Sequence, residues 1–174
     1  MSVDVATLRE VGPEFAADLA HLWARTFAEA YADEHAPEDI DAYGAQHFTE
    51  ANAAAVLSTP NARCVTAIRN DKPVGFNLIH HTDSPHPLDG PASELKQIYV
   101  IADEFGAGTG HLLFDDAMDA IKAAGRDWVW LLVSDKNLRA LAFYAKYDFT
   151  RIGTGETIYV GRDTLPSSIL ARRI

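Results

Sequence analysis

Gln97-Ile-Tyr-Val-Ile-Ala-Asp-Glu-Phe-Gly-Ala-Gly-Thr-Gly-His-Leu-Leu113 passes from a β-rich run through alternating glycines into a helical pattern. Gly106, Gly108 and Gly110 permit backbone conformations that a Cβ forbids, so main-chain N–H groups can come close to a ligand. The helix that follows aims the positive end of its dipole at the same point. Together these make an anion cradle suited to a phosphate-bearing cofactor. Alternating glycines also serve turns and helix caps, so the rest of the chain must support the reading.

Working outward, residues 94–101 form the strand that enters the glycines, and Gly110, Leu113, Phe114, Ala117, Ile121 and Ala124 form a helical stripe. Gly125 closes that helix as a C′ cap. Residues 128–133 are continuously apolar and read as a buried strand, 137–146 as a short helix, and 150–160 as one or two final strands. Upstream, residues 3–11 suit a first strand, and Gly12-Pro13 opens a helix with Phe15, Leu19, Leu22, Trp23, Thr26 and Phe27 on one face. Helical stretches from Pro37 and over 50–58 make a flap before the sheet. Residues 63–69 and 73–81 read as a hairpin joined by Asn70-Asp71-Lys72, and 82–90, with Pro85, Pro87 and Gly90, as an exposed loop. There is no repeat or linker, so residues 1–174 are expected to form one domain.

A hydrophobic share of 48% with 23% charged residues is ordinary for a globular chain. No apolar run approaches the ~18–20 residues that span a bilayer, and Met1-Ser2-Val3-Asp4 lacks the basic start of a signal peptide. A cytoplasmic protein without a membrane partner is expected. The single cysteine, Cys64, offers neither a disulfide framework nor a zinc cluster, reads as a buried strand residue, and no metal site is expected. A net charge of −10 repels nucleic-acid phosphates and favours cationic small molecules. A dinucleotide-binding fold fits poorly, because strands and helices do not alternate from the start.

The element order, together with Ile98-Tyr-Val100, the glycine loop, and Asn137-Leu-Arg-Ala-Leu-Ala-Phe-Tyr144-Ala-Lys-Tyr-Asp-Phe149, resembles the GNAT acyltransferase superfamily. The helical flap is similar to a bacterial branch that includes polyamine acetyltransferases. The resemblance implies an α/β (α+β) fold: a mixed, mostly antiparallel sheet of six to seven strands, splayed at the cofactor site and flanked by helices. It implies acetyl transfer from acetyl-CoA to a primary amine in a ternary complex. A small cationic amine such as a polyamine is the first acceptor expected, and a protein or peptide amine the second. A non-catalytic acetyl-CoA sensor is the reading from another class.

By the same resemblance, the diphosphate of acetyl-CoA rests on the backbone of Gly106, Ala107, Gly108, Thr109, Gly110 and His111. Phe105 stands where the family usually has Gln or Arg, Ala107 where a base is frequent, and Asp148 where glycine is usual. Main-chain groups of Ile98 and Val100 are expected to pair with the pantetheine arm as an added strand, with Asn137 and Phe143 beside it. Tyr144 is the expected acid for the leaving thiolate. Glu94 leads as the base, with His80 and His81 as rivals. Asp33, Glu34, His35, Glu38 and Asp39 on the flap are candidates to attract a cationic acceptor, and Ile169-Leu170-Ala171 to pair in a homodimer.

Overall fold

The computed structural model describes residues 5–174. Val3 and Asp4, counted in the expected first strand, lie outside the described residues. The strands are β1 (Thr7–Val11), β2 (Ala62–Arg69), β3 (Lys72–His80), β4 (Ala92–Val100), β5 (Trp128–Ser134), β6 (Thr150–Thr154), β7 (Ile158–Val160), β8 (Asp163–Leu165) and β9 (Ser167–Arg173). The helices are α1 (Ala16–Tyr31), α2 (Pro37–His47), α3 (Glu50–Leu57), α4 (Thr109–Ala123) and α5 (Leu138–Ala145).

Seven strands form one sheet in the order β1-β2-β3-β4-β5-β9-β6. Every neighbouring pair is antiparallel except β4 and β5. The β2–β3 turn carries Asn70 and Asp71 at φ 51 and 60, the positive values that a tight hairpin turn demands. On one face Phe15, in the turn just before α1, joins Leu19 and Trp23 of α1 and Ala53 of α3 against Val74, Phe76 and Leu78. On the other, α4 and α5 bring Phe114, Ala117, Ile121 and Tyr144 against Ile79, Leu95, Val129 and Leu131. Each fully buried Leu or Phe stabilises the fold by about 1.5–3 kcal/mol, which fixes both helical layers on the sheet.

Two expectations need correcting. Ile169-Leu170-Ala171 does not lie on a sheet edge. It is the middle of β9, paired to β5 on one side and β6 on the other, so its backbone groups are spent within the chain. Residues 82–90 are also more than an exposed loop. Leu88 packs on Trp130, Ile169 and Ala171, the Trp128 indole donates to Asp89 Oδ1 at 2.9 Å, and the Trp130 indole donates to the Thr82 carbonyl at 3.0 Å. This segment covers sheet surface that no helix reaches.

What positions the site is a defect in the centre of the sheet. The β4–β5 ladder pairs Ala92 with Trp128, Ser93 with Val129 and Glu94 with Trp130, then stops. On the β3 side, Leu78 faces Gln97 while Ile79 faces Leu95, so Lys96 is the extra residue of a β-bulge. Bulges bend a strand and sharpen its twist. Beyond it β4 continues to Val100 with β3 alone, β5 continues with β9, and a cleft opens between them.

Candidate active site

The cleft runs into a groove of about 420 Å³ walled by β4, the glycine turn, α5 and α1. Ile98, Val100, Phe105, Gly106, Gly108, Gly110, His111, Asn137, Phe143 and Tyr144, all singled out from the sequence, line it together. Ala107 and Thr109 do not. The Ala107 N–H is spent on the Glu104 carbonyl at 3.1 Å, and the Thr109 hydroxyl turns inward to Glu104 Oε2 at 2.5 Å.

An account of backbone donors shows what the turn offers. Glu104 and Phe105 N–H bond back to Ile101 and Ala102, and the first α4 bond runs from Leu112 N–H to the Gly108 carbonyl. The N–H groups of Gly106, Gly108, Thr109, Gly110 and His111 have no main-chain acceptor among the described residues. Gly106 and Gly108 adopt φ +81 and +85, which strain any side chain. A Cβ built on Gly106, Gly108 or Gly110 would meet nothing within 4 Å. These glycines therefore hold open space over unpaired donors at a helix N-terminus, the arrangement that receives a phosphate. A diphosphate-bearing ligand fits it.

A buried ion pair, not foreseen from the sequence, shapes the turn from below. Glu104 is 6% exposed and accepts from Arg69 Nε at 2.9 Å and Nη2 at 3.1 Å. Burial pushes its carboxyl up, but the bonds from Arg69 and Thr109 outweigh that, so it titrates below the ordinary range. At the groove's mouth the Arg139 guanidinium stacks 3.2 Å above the Phe105 ring centre. On the α1 side, Glu29 Oε2 accepts the Ala102 N–H at 2.7 Å and ties the helix to the start of the turn.

Asn137 caps α5, its Oδ1 accepting the Ala140 N–H at 3.1 Å. The cap leaves the Asn137 NH₂ free to face the cleft. Tyr144, two turns on, is clasped between Phe143 and Phe149, and Phe143 packs edge-on to Phe114 of α4. That aromatic packing fixes where the Tyr144 hydroxyl points. Burial raises its pKa, with the nearby Tyr99 phenol adding to the effect, so the phenol stays protonated across the neutral range.

Through the cleft lies a second, smaller chamber of about 80 Å³, which shares Ile98, Tyr99, Asn137, Ala140 and Tyr144 with the groove. Tyr31, Lys96, Gln97, Leu132, Ser134 and Ile158 complete much of its wall. The β7–β8 hairpin is held to the end of α1 and the segment after it by Val160 and Leu165 packed on Tyr31, and by His35 Nδ1 against Asp163 Oδ2 at 2.7 Å. Asp33, Glu34 and Glu38 are exposed and Asp39 meets Gly161; none of them lines either cavity. His81 bonds Ser93 Oγ at 2.7 Å, and neither it nor His80 lines a cavity.

Glu94 does not line the chamber either; its Oε1 lies 3.9 Å from Nζ of Lys96, which does. Burial raises its pKa, and Lys96 and His80 offset part of that. The result is a carboxylate made more basic than usual beside the chamber.

The site is thus a split parallel pair of strands beside unpaired helix N-terminal amides, opening on a second chamber. Comparison with known proteins names the class. The acetyltransferase (GNAT) family profile matches residues 16–149. An uncharacterized N-acetyltransferase of Mycobacterium tuberculosis is 32% identical over 141 residues, 79% of this chain and 84% of that protein. Among solved structures, PaiA N-acetyltransferase of Thermoplasma acidophilum in complex with coenzyme A superposes with TM-score 0.80 at 16% identity, covering 97% of this chain and 99% of that one. A GCN5-related N-acetyltransferase from Rhodopseudomonas palustris gives TM-score 0.75 at 24% identity, covering 100% and 99%. The chain belongs to the GNAT acetyltransferase family. It is an acetyltransferase, and acetyl-CoA is its co-substrate.

Proposed function

We propose that the protein acetylates a small primary amine in the cytoplasm by direct attack on acetyl-CoA held in the groove. The observation that carries this reading is the cleft itself, with unpaired amides at one end and the buried Tyr144 hydroxyl where groove and chamber meet. Acetyl-CoA brings an activated acyl carbon as a thioester. The backbone N–H groups of Gly106, Gly108, Gly110 and His111 hold the diphosphate, and the unpaired side of β4 around Ile98 and Val100 aligns the arm.

Proton movements complete this reading. An alkyl ammonium of pKa about 10.4 must lose a proton before attack. Glu94, raised by burial, accepts that proton through a water beside Lys96. The amine nitrogen bonds the acyl carbon, the carbon–sulfur bond breaks, Tyr144 gives its proton to the departing sulfur, and the second proton shed by the nitrogen restores the Tyr144 phenol. Main-chain donors of β4 beyond Glu94 offset the negative charge that gathers on the acyl oxygen. Free-thiol release measured against a panel of amines tests the reading. Amine-dependent release supports it, and tight CoA binding without any such release overturns it.

A further inference from the structure

We infer that the acceptor is an amine that also carries a carboxylate, an α-amino acid, and that Lys96 recognises the carboxylate. The inference rests on the acetyl-transfer reading and adds the substrate class. It follows from the hydrogen-bonding groups on the chamber wall. Among the described residues no Asp or Glu lines the chamber, and Lys96 is the one charged residue that does. The Gln97 oxygen is already taken by the Trp23 indole N–H at 2.6 Å, which leaves the Gln97 NH₂ as a donor. The Asn137 oxygen is taken by the Ala140 N–H, which again leaves a donor. Phenols of Tyr31 and Tyr99 add hydroxyl hydrogens. The hydroxyls can donate or accept, so the wall's one fixed charge is the Lys96 ammonium, and with no carboxylate on the wall to offset it the chamber favours an oxygen-bearing, anionic guest.

Lys96 is free to serve because the bulge sets it outside the β3 ladder and its nearest carboxylate is too far for a hydrogen bond. The 3.9 Å separation from Glu94 exceeds the 2.7–3.2 Å of a bonded pair. Ammonium and carboxylate side by side complement the zwitterion of an α-amino acid. The guest's carboxylate meets Lys96, and Glu94, set back from the chamber wall, takes the proton needed for attack from the ammonium through a water. In the transfer the ammonium first loses one proton to Glu94, the amino nitrogen bonds the acetyl carbon as the carbon–sulfur bond breaks, the sulfur of CoA takes the proton of Tyr144, and the nitrogen's second proton restores the Tyr144 phenol. A diamine would instead set a second cation against Lys96. The flap carboxylates that might have welcomed it do not line the chamber. A volume of about 80 Å³ also suits a compact guest.

The test uses the full chain, acetyl-CoA, and L-alanine, L-leucine, L-methionine and L-glutamine, each as the free acid and as the carboxamide, with putrescine and spermidine alongside. The carboxamide has the more easily deprotonated amine, so intrinsic reactivity works against the acid. Thiol release should show kcat/KM at least tenfold higher for a free acid than for its carboxamide and for either polyamine. Lys96→Met should bring the acid-to-carboxamide ratio close to one, and Lys96→Arg should restore most of it. Equal or greater activity on carboxamides or polyamines, or a ratio unmoved by Lys96→Met, overturns the acceptor assignment while leaving acetyl transfer intact. Release with none of the amines, despite CoA binding, overturns both.

Discussion

Gly110→Ala separates the fold from the ligand cradle, because the two effects of the change have opposite signs. Gly110 sits in the first turn of α4, its φ is not positive, and an added Cβ meets no atom within 4 Å. Exchanging Gly for Ala in unstrained helix favours the folded state by about 0.5–1 kcal/mol. In a chain of this size that raises Tm by roughly 1–4 °C. The same methyl stands in the open groove beside the free N–H groups, where a phosphate oxygen has to come. Losing one charge-assisted hydrogen bond costs about 1.5–3 kcal/mol, or roughly a ten- to hundredfold weaker Kd for CoA. Calorimetric titration with CoA and a thermal melt read the two quantities on one sample. A variant that melts higher and binds CoA as tightly as the wild type would refute the placement of the diphosphate.

Other outcomes follow from the same geometry. Tyr144→Phe keeps the ring packed between Phe143 and Phe149 but removes the proton, so kcat should fall roughly a hundredfold or more while CoA affinity holds. Glu94 must be ionised to act, and burial raises its pKa, so the acid limb of the kcat profile should lie above the ordinary carboxylate value of 4.5. Glu94→Gln should flatten that limb. Arg69→Met leaves the Glu104 carboxylate buried without its cation, costing about 3–5 kcal/mol, and Tm should drop by roughly 6–20 °C. Because the folded-state pKa of Glu104 is depressed, its contribution is present above the ordinary carboxyl pKa and is lost as pH falls through the lower folded value. Melts of Glu104→Gln should therefore lose less stability than wild type across that acid window.

Much of this site is legible along the chain because its parts are local. The glycine turn, the α4 stripe and the Asn137-to-Tyr144 spacing each lie within one or two helical turns, and short-range rules of φ, capping and periodicity bring them to one groove. What escapes is set by topology. β9 follows Pro166 directly and begins with Ser167 and Ser168, a poor strand signal, and becomes internal because it pairs with a neighbour on each side. Its serines find partners only in the fold, Ser168 Oγ on Asp135 at 2.6 Å being one. Glu104 looks like a surface acid in sequence, since nothing nearby announces Arg69, thirty-five residues away. Gln97 heads the decisive stretch and Lys96 immediately precedes it, yet only the bulge and the split ladder make them the wall of a chamber. The flap acids show the converse, a sequence cluster that the fold leaves outside.

A crystal structure with coenzyme A bound tests the central claim most directly. The account predicts the diphosphate within hydrogen-bond reach of the main-chain nitrogens of residues 106 and 108–111, the arm lying along β4, and the sulfur beside the Tyr144 hydroxyl. A diphosphate seated elsewhere, or a sulfur remote from Tyr144, would contradict it.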